Sequence, residues 1–153
     1  MNSNSLVSTR TIQELGQAAN TLASQGIFEA YRLKRAANTI LAQKQAIDNF
    51  TRFLTEVGGM PTGNMFDNPQ AWEGITWGLI QAYVQWQIQK GYSISTVNQH
   101  LAILRKYASL AAQVGCISTD ELLRIKAVNT VGTTEAKRLD EKRSMNGIPT
   151  RSF

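Results

Sequence analysis

Cysteine and histidine are nearly absent from this 153-residue chain, which has one of each. A single cysteine, Cys116, cannot form an internal disulfide bond or a zinc site, and the sequence shows no other metal-ligand cluster. No run of about 18 apolar residues exists that could span a membrane. The polar N-terminus lacks the apolar stretch of a secretory signal. We therefore expect a cytoplasmic protein that binds no metal and no membrane.

Charged residues are also scarce, at 18% of the chain, while 42% of the residues are hydrophobic. That balance supports one folded domain rather than a disordered segment. The net charge is nevertheless +5, and the basic excess lies outside residues 36–90. A basic surface favours an acidic partner such as nucleic acid. The sequence has no glycine-rich phosphate loop and no paired-carboxylate site, so we expect no cofactor and no small-molecule substrate.

Helical periodicity dominates the pattern of apolar residues, and strand-like alternation is scarce. We predict an all-α fold, a compact four- to five-helix bundle with a flexible C-terminal tail. The predicted helices cover residues 11–23, 36–57, 76–91 and 95–114, with a short fifth helix after Ser118. A loop rich in Gly, Pro and Asn occupies residues 59–74. After about Asn129 the apolar residues no longer show helical spacing.

The fourth predicted helix has the clearest signals. Ser95 is predicted to cap its start, and Gly115 to end it. The fifth helix opens with Ser118-Thr119-Asp120-Glu121, in which the serine and the glutamate should each satisfy a backbone N–H of that helix. One face of the fourth helix should be buried, and its residues are Val97, Leu101, Leu104, Ala108 and Ala111.

Several motifs occur in a fixed order along the predicted helices. They are Ile47-x-x-Phe50-x-x-Phe53-Leu54, Ile75-Thr76, Ile80 with Tyr83-Val84, a turn at Gly91, Ser93-x-Ser95-Thr96-Val97, and Leu101-x-x-Leu104-Arg105-x-Tyr107. This series, over residues 36–128, resembles the core-binding domain of tyrosine recombinases and phage integrases. The chain departs from the family at Gln43, where an aromatic residue is common, and in the longer loop 59–74. Residues 1–35 do not match the family's arm-site-binding domain.

The resemblance implies a clamp on DNA. In that family the helical domain packs on one face of the duplex, and a catalytic domain packs on the other. The catalytic domain has a tyrosine nucleophile and a histidine-x-x-arginine motif, whereas the only histidine here, His100, lies in HLAILR. The resemblance implies a core-binding domain in residues 36–128. The residue pattern predicts an N-terminal extension with a short helix in residues 1–35, and a linker or tail in 129–153 that would lead to an absent catalytic domain. We expect a fragment of a recombinase that is not itself an enzyme, with double-stranded DNA and other recombinase subunits as partners.

The leading DNA-binding candidates are four polar residues of the fourth helix, Asn98, Gln99, Arg105 and Lys106. Arginine and lysine bind phosphates, and side-chain amides contact base edges. We hypothesise that all four share one free face, so that replacing Arg105 and Lys106 by alanine leaves the fold intact. The alternative is an ordinary solvated helix face.

Two further pairs complete the candidate DNA-binding site. Gln81 and Gln85 belong to an uncharged glutamine stripe on the third helix, which could read adenine edges or simply face solvent. Lys44 and Arg52 flank Asp48 on the second helix, where mutual ion pairing is the favoured interpretation and phosphate contact the second. We identify no catalytic residue.

The other conspicuous side chains are interpreted as structural. Trp77, Tyr83 and Trp86 have the helical spacing of core residues, although aromatic rings can also stack on bases. His100 is expected to be a partly buried, hydrogen-bonded residue, and Cys116 a small apolar residue at a helix end.

A second functional hypothesis remains open. The chain could instead be a helical protein–protein interaction domain whose basic charge is incidental. Duplex binding that weakens steeply with salt would favour the DNA-binding function, whereas little binding at any salt would favour the alternative.

Overall fold

A computed structural model describes residues 9–128 of the chain. Within them the elements are α1 (Ile12–Gln25), α2 (Ile27–Arg32), α3 (Ala37–Glu56), a 3-10 helix (Pro69–Trp72), α4 (Trp77–Gln89), α5 (Ile94–Gln113) and α6 (Thr119–Lys126). The prediction of an all-α fold is confirmed for this part of the chain, but the described residues form six α-helices where four or five were predicted. The predicted tail, residues 129–153, lies outside the described residues. None of the helices within residues 9–128 combines the length and hydrophobicity that a membrane span needs.

Helix α5 lies at the centre of the bundle and packs against α2, α3, α4, α6 and the 3-10 helix. The five residues of its predicted buried line are each at most 1% exposed. Removing such side chains from water is the main favourable contribution to folding. Gly115, at a φ of 83°, ends the helix as predicted. Cys116 follows it and packs, partly buried, against the core.

The start of α5 differs from the prediction. Ser93, not Ser95, is the N-cap, because its hydroxyl accepts a hydrogen bond from the backbone N–H of Thr96 at 3.1 Å. Ser95 lies exposed within the first turn. Gly91, at a φ of 89°, turns the chain just before the helix and so allows it to begin two residues earlier.

The segment predicted to be a loop, residues 59–74, contributes to the core. Trp72, at the end of the 3-10 helix, is fully buried. Its indole N–H donates to the carbonyl of Met65 at 2.8 Å, and its ring stacks on Phe50 with centroids 6.1 Å apart. Sequence periodicity identifies buried residues only in regular helices or strands. The buried residues of this irregular segment, which is rich in Gly, Pro and Asn, therefore could not be predicted.

A helix that the periodicity does not predict, α2, also joins the core. Phe28 is fully buried, and its ring centroid lies 5.0 Å from that of Tyr107 on α5. The packed helical unit therefore begins before residue 36. Helix α1 is different, because none of its residues is buried. It contacts α2 and exposes Ile12 and Leu22.

Candidate nucleic-acid interface

The polar residues of α5 lie on two flanks of the helix rather than on one face. At 100° per residue, Asn98 and Arg105 are about 20° apart, as are Gln99 and Lys106, but roughly 100° separates the two pairs. Asn98 and Arg105 are half-buried, whereas Gln99 and Lys106 are exposed. The hypothesis of one shared, free face is therefore wrong.

Arg105 is engaged within the protein. Its Nη2 donates a hydrogen bond to the carbonyl of Val128, just beyond the end of α6. Its Nε is buried and has no partner among the described residues. The bond fastens the end of α6 to α5 and satisfies a backbone carbonyl beyond the helix terminus. This contact contradicts the expectation that Arg105 can be removed without consequence for the fold.

Lys106 belongs to a cationic cluster around an aromatic ring. Its Nζ lies 5.1 Å from the ring centroid of Tyr31, and Cζ of Arg35 lies 4.4 Å from the same centroid. Neither cation has an ion-pair partner within residues 9–128, whereas Arg32 is paired with Asp67 at 2.9 Å. We call Tyr31, Arg35 and Lys106 the Tyr31 patch. Sequence reasoning missed Tyr31 and Arg35, and the basic excess of residues 1–35 was the one signal for them.

Gln43 connects the Tyr31 patch to the core. Its Nε2 donates to the hydroxyl of Tyr31 at 3.0 Å, and its Oε1 accepts from the hydroxyl of Tyr107 at 2.9 Å. Burial acts to raise the pKa of Tyr31, but hydrogen bonds from Arg35 and Gln43 and the nearby positive charges outweigh it and lower that pKa. The ring is thus held in place, and its surroundings favour negative charge.

A shallow groove adjoins the Tyr31 patch between α3 and α5. Gln99 lines its α5 side, and Asn38 and Thr39 line its α3 side. These two residues stand in the first turn of α3, whose N-cap, Ala36, makes no side-chain capping bond. The backbone N–H groups of that turn have no partner within their own helix. The groove and the patch together present cations and hydrogen-bond donors, which are the groups that bind phosphates.

Lys44 and Arg52 of α3 do not belong to the Tyr31 patch. Lys44 forms the predicted ion pair with Asp48, at 2.8 Å between Nζ and Oδ2. Arg52 does not pair with Asp48, because its Nη2 donates to Oδ1 of Asn49 at 2.5 Å. The predicted ion pair with Asp48 is therefore confirmed for Lys44, and the same prediction is wrong for Arg52.

The two glutamines of α4 are exposed but line separate depressions. Gln81 lies beside Trp77 and Arg124 of α6, whereas Gln85 faces the C-terminal part of α3. Trp77 is 44% exposed, so the prediction that it is a core residue is wrong. Tyr83, which has the same helical spacing, is fully buried as predicted.

His100 lies in a buried polar network between α3, α4 and α5. Its Nδ1 is 2.5 Å from Oε1 of Gln87 and 3.4 Å from the hydroxyl of Tyr83. Asn49 donates to the same hydroxyl at 2.7 Å and accepts from Tyr92 at 3.0 Å. Burial lowers the pKa of His100 to about 4, so the imidazole is neutral at neutral pH. The expectation of a buried, hydrogen-bonded histidine is confirmed.

Comparison of the chain with protein-family models, with curated proteins and with solved structures found no match. A functional assignment therefore depends on the geometry of the described residues. Within residues 9–128, the Tyr31 patch and the adjoining groove bring together cations from two separate parts of the chain.

Proposed function

We propose that this chain is a double-stranded-DNA-binding domain, the core-binding domain of a tyrosine recombinase, which holds the duplex for a separate catalytic domain. The observation that carries the proposal is the convergence of Arg35 and Lys106 on Tyr31. Neither cation is neutralised by an ion pair with a described residue. Two such charges beside an anchored ring form a preorganised site for backbone phosphates.

The flank of α5 that bears Lys106 extends the proposed contact. Gln99 lies two helical turns before Lys106, about 10 Å along the axis. Its amide can donate to a phosphate or read a base edge. In this arrangement Lys106 and Arg35 position the duplex, and Gln99 supplies a contact that depends on sequence.

Strand cleavage belongs to the separate catalytic domain in this proposal. A tyrosine nucleophile needs activation, and its reaction needs groups that stabilise the charge developing on the phosphate. Tyr83, Tyr92 and Tyr107 are instead buried in the core. His100 is buried and bonded to Gln87. The fourth tyrosine, Tyr31, has its hydroxyl bonded to Gln43, and we assign it to the binding surface rather than to cleavage.

Duplex binding measured against salt concentration tests the proposal. The double variant Arg35→Gln, Lys106→Gln should bind more weakly, and its salt slope should be flatter by up to about two, roughly one for each phosphate that the variant no longer neutralises. The variant Lys90→Gln, Lys126→Gln removes the same charge from elsewhere and should bind more tightly than the first. Equal weakening in both would show that only bulk charge matters. No duplex binding by the wild-type chain would overturn the proposal.

One observation favours the alternative, a helical protein–protein interaction domain. Helix α1 exposes Ile12, Leu15 and Leu22, at 85%, 51% and 71%. Exposed apolar side chains on one helix are typical of a surface that contacts another protein, and a second recombinase subunit would serve equally as that partner. Replacing Leu15 and Leu22 with glutamine should abolish self-association, measured by sedimentation, and leave duplex binding unchanged. Self-association without duplex binding would favour the alternative.

A further inference from the structure

A second surface, on the α4–α6 side of the molecule, is not used by the proposed duplex contact. It is a depression lined by Trp77 and Gln81 of α4 together with Arg124, Ala127 and Val128 at the end of α6. We call it the Trp77 pocket. Trp77 is 44% exposed, although tryptophan is a residue type that is usually well buried.

The backbone of Trp77 is fixed by contacts with both α4 and α6. Trp77 is the first residue of α4, and its N–H donates to Oε2 of Glu121 on α6 at 2.9 Å. Thr76 caps the same helix by accepting from the N–H of Leu79 at 3.3 Å. Gln81 stands one helical turn after Trp77, on the same side of α4. Trp77 and Gln81 therefore line the pocket together.

The pocket also has a cation. Arg124 is exposed, and its side chain forms no hydrogen bond or ion pair with any residue in 9–128. The nearby carboxylate of Glu121 is bound to the Trp77 N–H. The guanidinium thus has its donors available for an anion, and guanidinium groups match phosphates in geometry.

We propose that the Trp77 pocket binds an unpaired nucleotide of DNA, with its base stacked on Trp77 and its phosphate on Arg124. Gln81 would hydrogen-bond the base edge, since an amide both donates and accepts. Paired bases in a duplex present only their edges, whereas a stacking contact needs an exposed base face. The inference rests on the proposed function and extends it, because it adds an unpaired nucleotide beside the bound duplex.

The test compares a blunt duplex with the same duplex bearing a short single-stranded adenine extension. For the wild-type chain, the extension should tighten binding about tenfold, which is roughly the contribution of one stacked base. It should also quench tryptophan fluorescence. Trp77→Ala should remove the gain and the quenching, whereas Trp77→Phe should keep most of the gain. Arg124→Gln should reduce the gain. Lys126→Gln, a charge-matched change on the same helix that does not line the pocket, should keep it.

The outcomes separate the two proposals. If the blunt duplex binds but the extension adds nothing, or if Trp77→Ala keeps the gain, the pocket proposal is overturned and the duplex proposal stands. If the blunt duplex fails to bind while the adenine strand alone binds through Trp77, the pocket proposal stands and the duplex proposal is overturned. Circular dichroism of Trp77→Ala checks that the helices remain, and Trp77→Phe supplies the comparison if they do not.

Discussion

The carboxylate of Glu121, in the first turn of α6, accepts a hydrogen bond from the backbone N–H of Trp77 at 2.9 Å. Trp77 is the first residue of α4, so its N–H has no partner within its own helix. The predicted capping box of α6 is only half formed. Ser118 accepts from the N–H of Glu121, but the glutamate side chain caps the neighbouring helix instead. One side chain thus joins the starts of α4 and α6.

Replacing Glu121 with alanine should lower the free energy of unfolding by about 1 kcal/mol, because the start of α4 loses its cap. Asp120→Ala removes a charge from the same turn without touching α4 and should cost less. Glu121→Gln keeps an acceptor oxygen and should restore most of the stability. Urea denaturation measures all three variants, and equal destabilisation by the two alanine variants would contradict a specific cap.

Arg105→Ala should destabilise the fold by roughly 1–3 kcal/mol, because the carbonyl of Val128 loses a charged donor. Lys106→Ala should change the free energy of unfolding by less than about 0.5 kcal/mol, since the side chain is exposed. The two residues are neighbours of similar charge, so each serves as the control for the other. Thermal and urea unfolding report the difference, and equal stabilities would argue against the structural role of Arg105.

The free energy of unfolding should fall as the pH is lowered from about 6.5 to about 4. The unfolded chain protonates His100 near the upper value, whereas burial holds the folded pKa at about 4. The decrease should total up to roughly 3 kcal/mol and should add nothing further below the folded pKa. His100 is the only histidine, so His100→Gln should flatten the profile above the range where carboxylates titrate. A wild-type profile as flat as that of the variant would contradict the assignment.

The chain should neither nick nor join DNA. Three of its four tyrosines lie in the core, and the hydroxyl of the other, Tyr31, is held by Gln43 with no imidazole beside it. Incubation with supercoiled plasmid should leave the plasmid intact, and denaturing electrophoresis should show no protein–DNA adduct. Specific nicking, or an adduct that disappears in Tyr31→Phe, would overturn the assignment of cleavage to a separate domain.

Local patterns predicted much of the fold. Apolar residues at helical spacing located α3, α4 and α5 to within two residues, and they identified the line from Val97 to Ala111 that α5 buries. A repeat of 3.6 residues is a property of neighbouring positions along the chain. The repeat can therefore be recognised in the sequence without knowing what the helix packs against. The same holds for Gly115, whose position after an apolar run predicts a helix end.

The candidate site was only partly predictable for the same reason. Periodicity separates the buried side of α5 from the other side, but it does not show which helices border each flank. That is why the sequence pattern predicted both Arg105 and Lys106 to be free. Arg105 in fact bonds to Val128 beyond the end of α6, and Lys106 lies beside Tyr31. Tyr31 and Gln43 come from different helices, and no short-range pattern links them.

The sequence by itself determined the helical class, the buried line of α5 and the basic balance. Only the tertiary structure decided which polar side chains remain available to a partner. Helix formation depends on residues three and four apart, whereas availability depends on contacts between residues far apart in the chain. Arg32 and Asp67, or Trp77 and Glu121, meet only after the helices have packed. Three of the cations that have no ion-pair partner within residues 9–128, Arg35, Lys106 and Arg124, are those through which we propose that the chain contacts DNA.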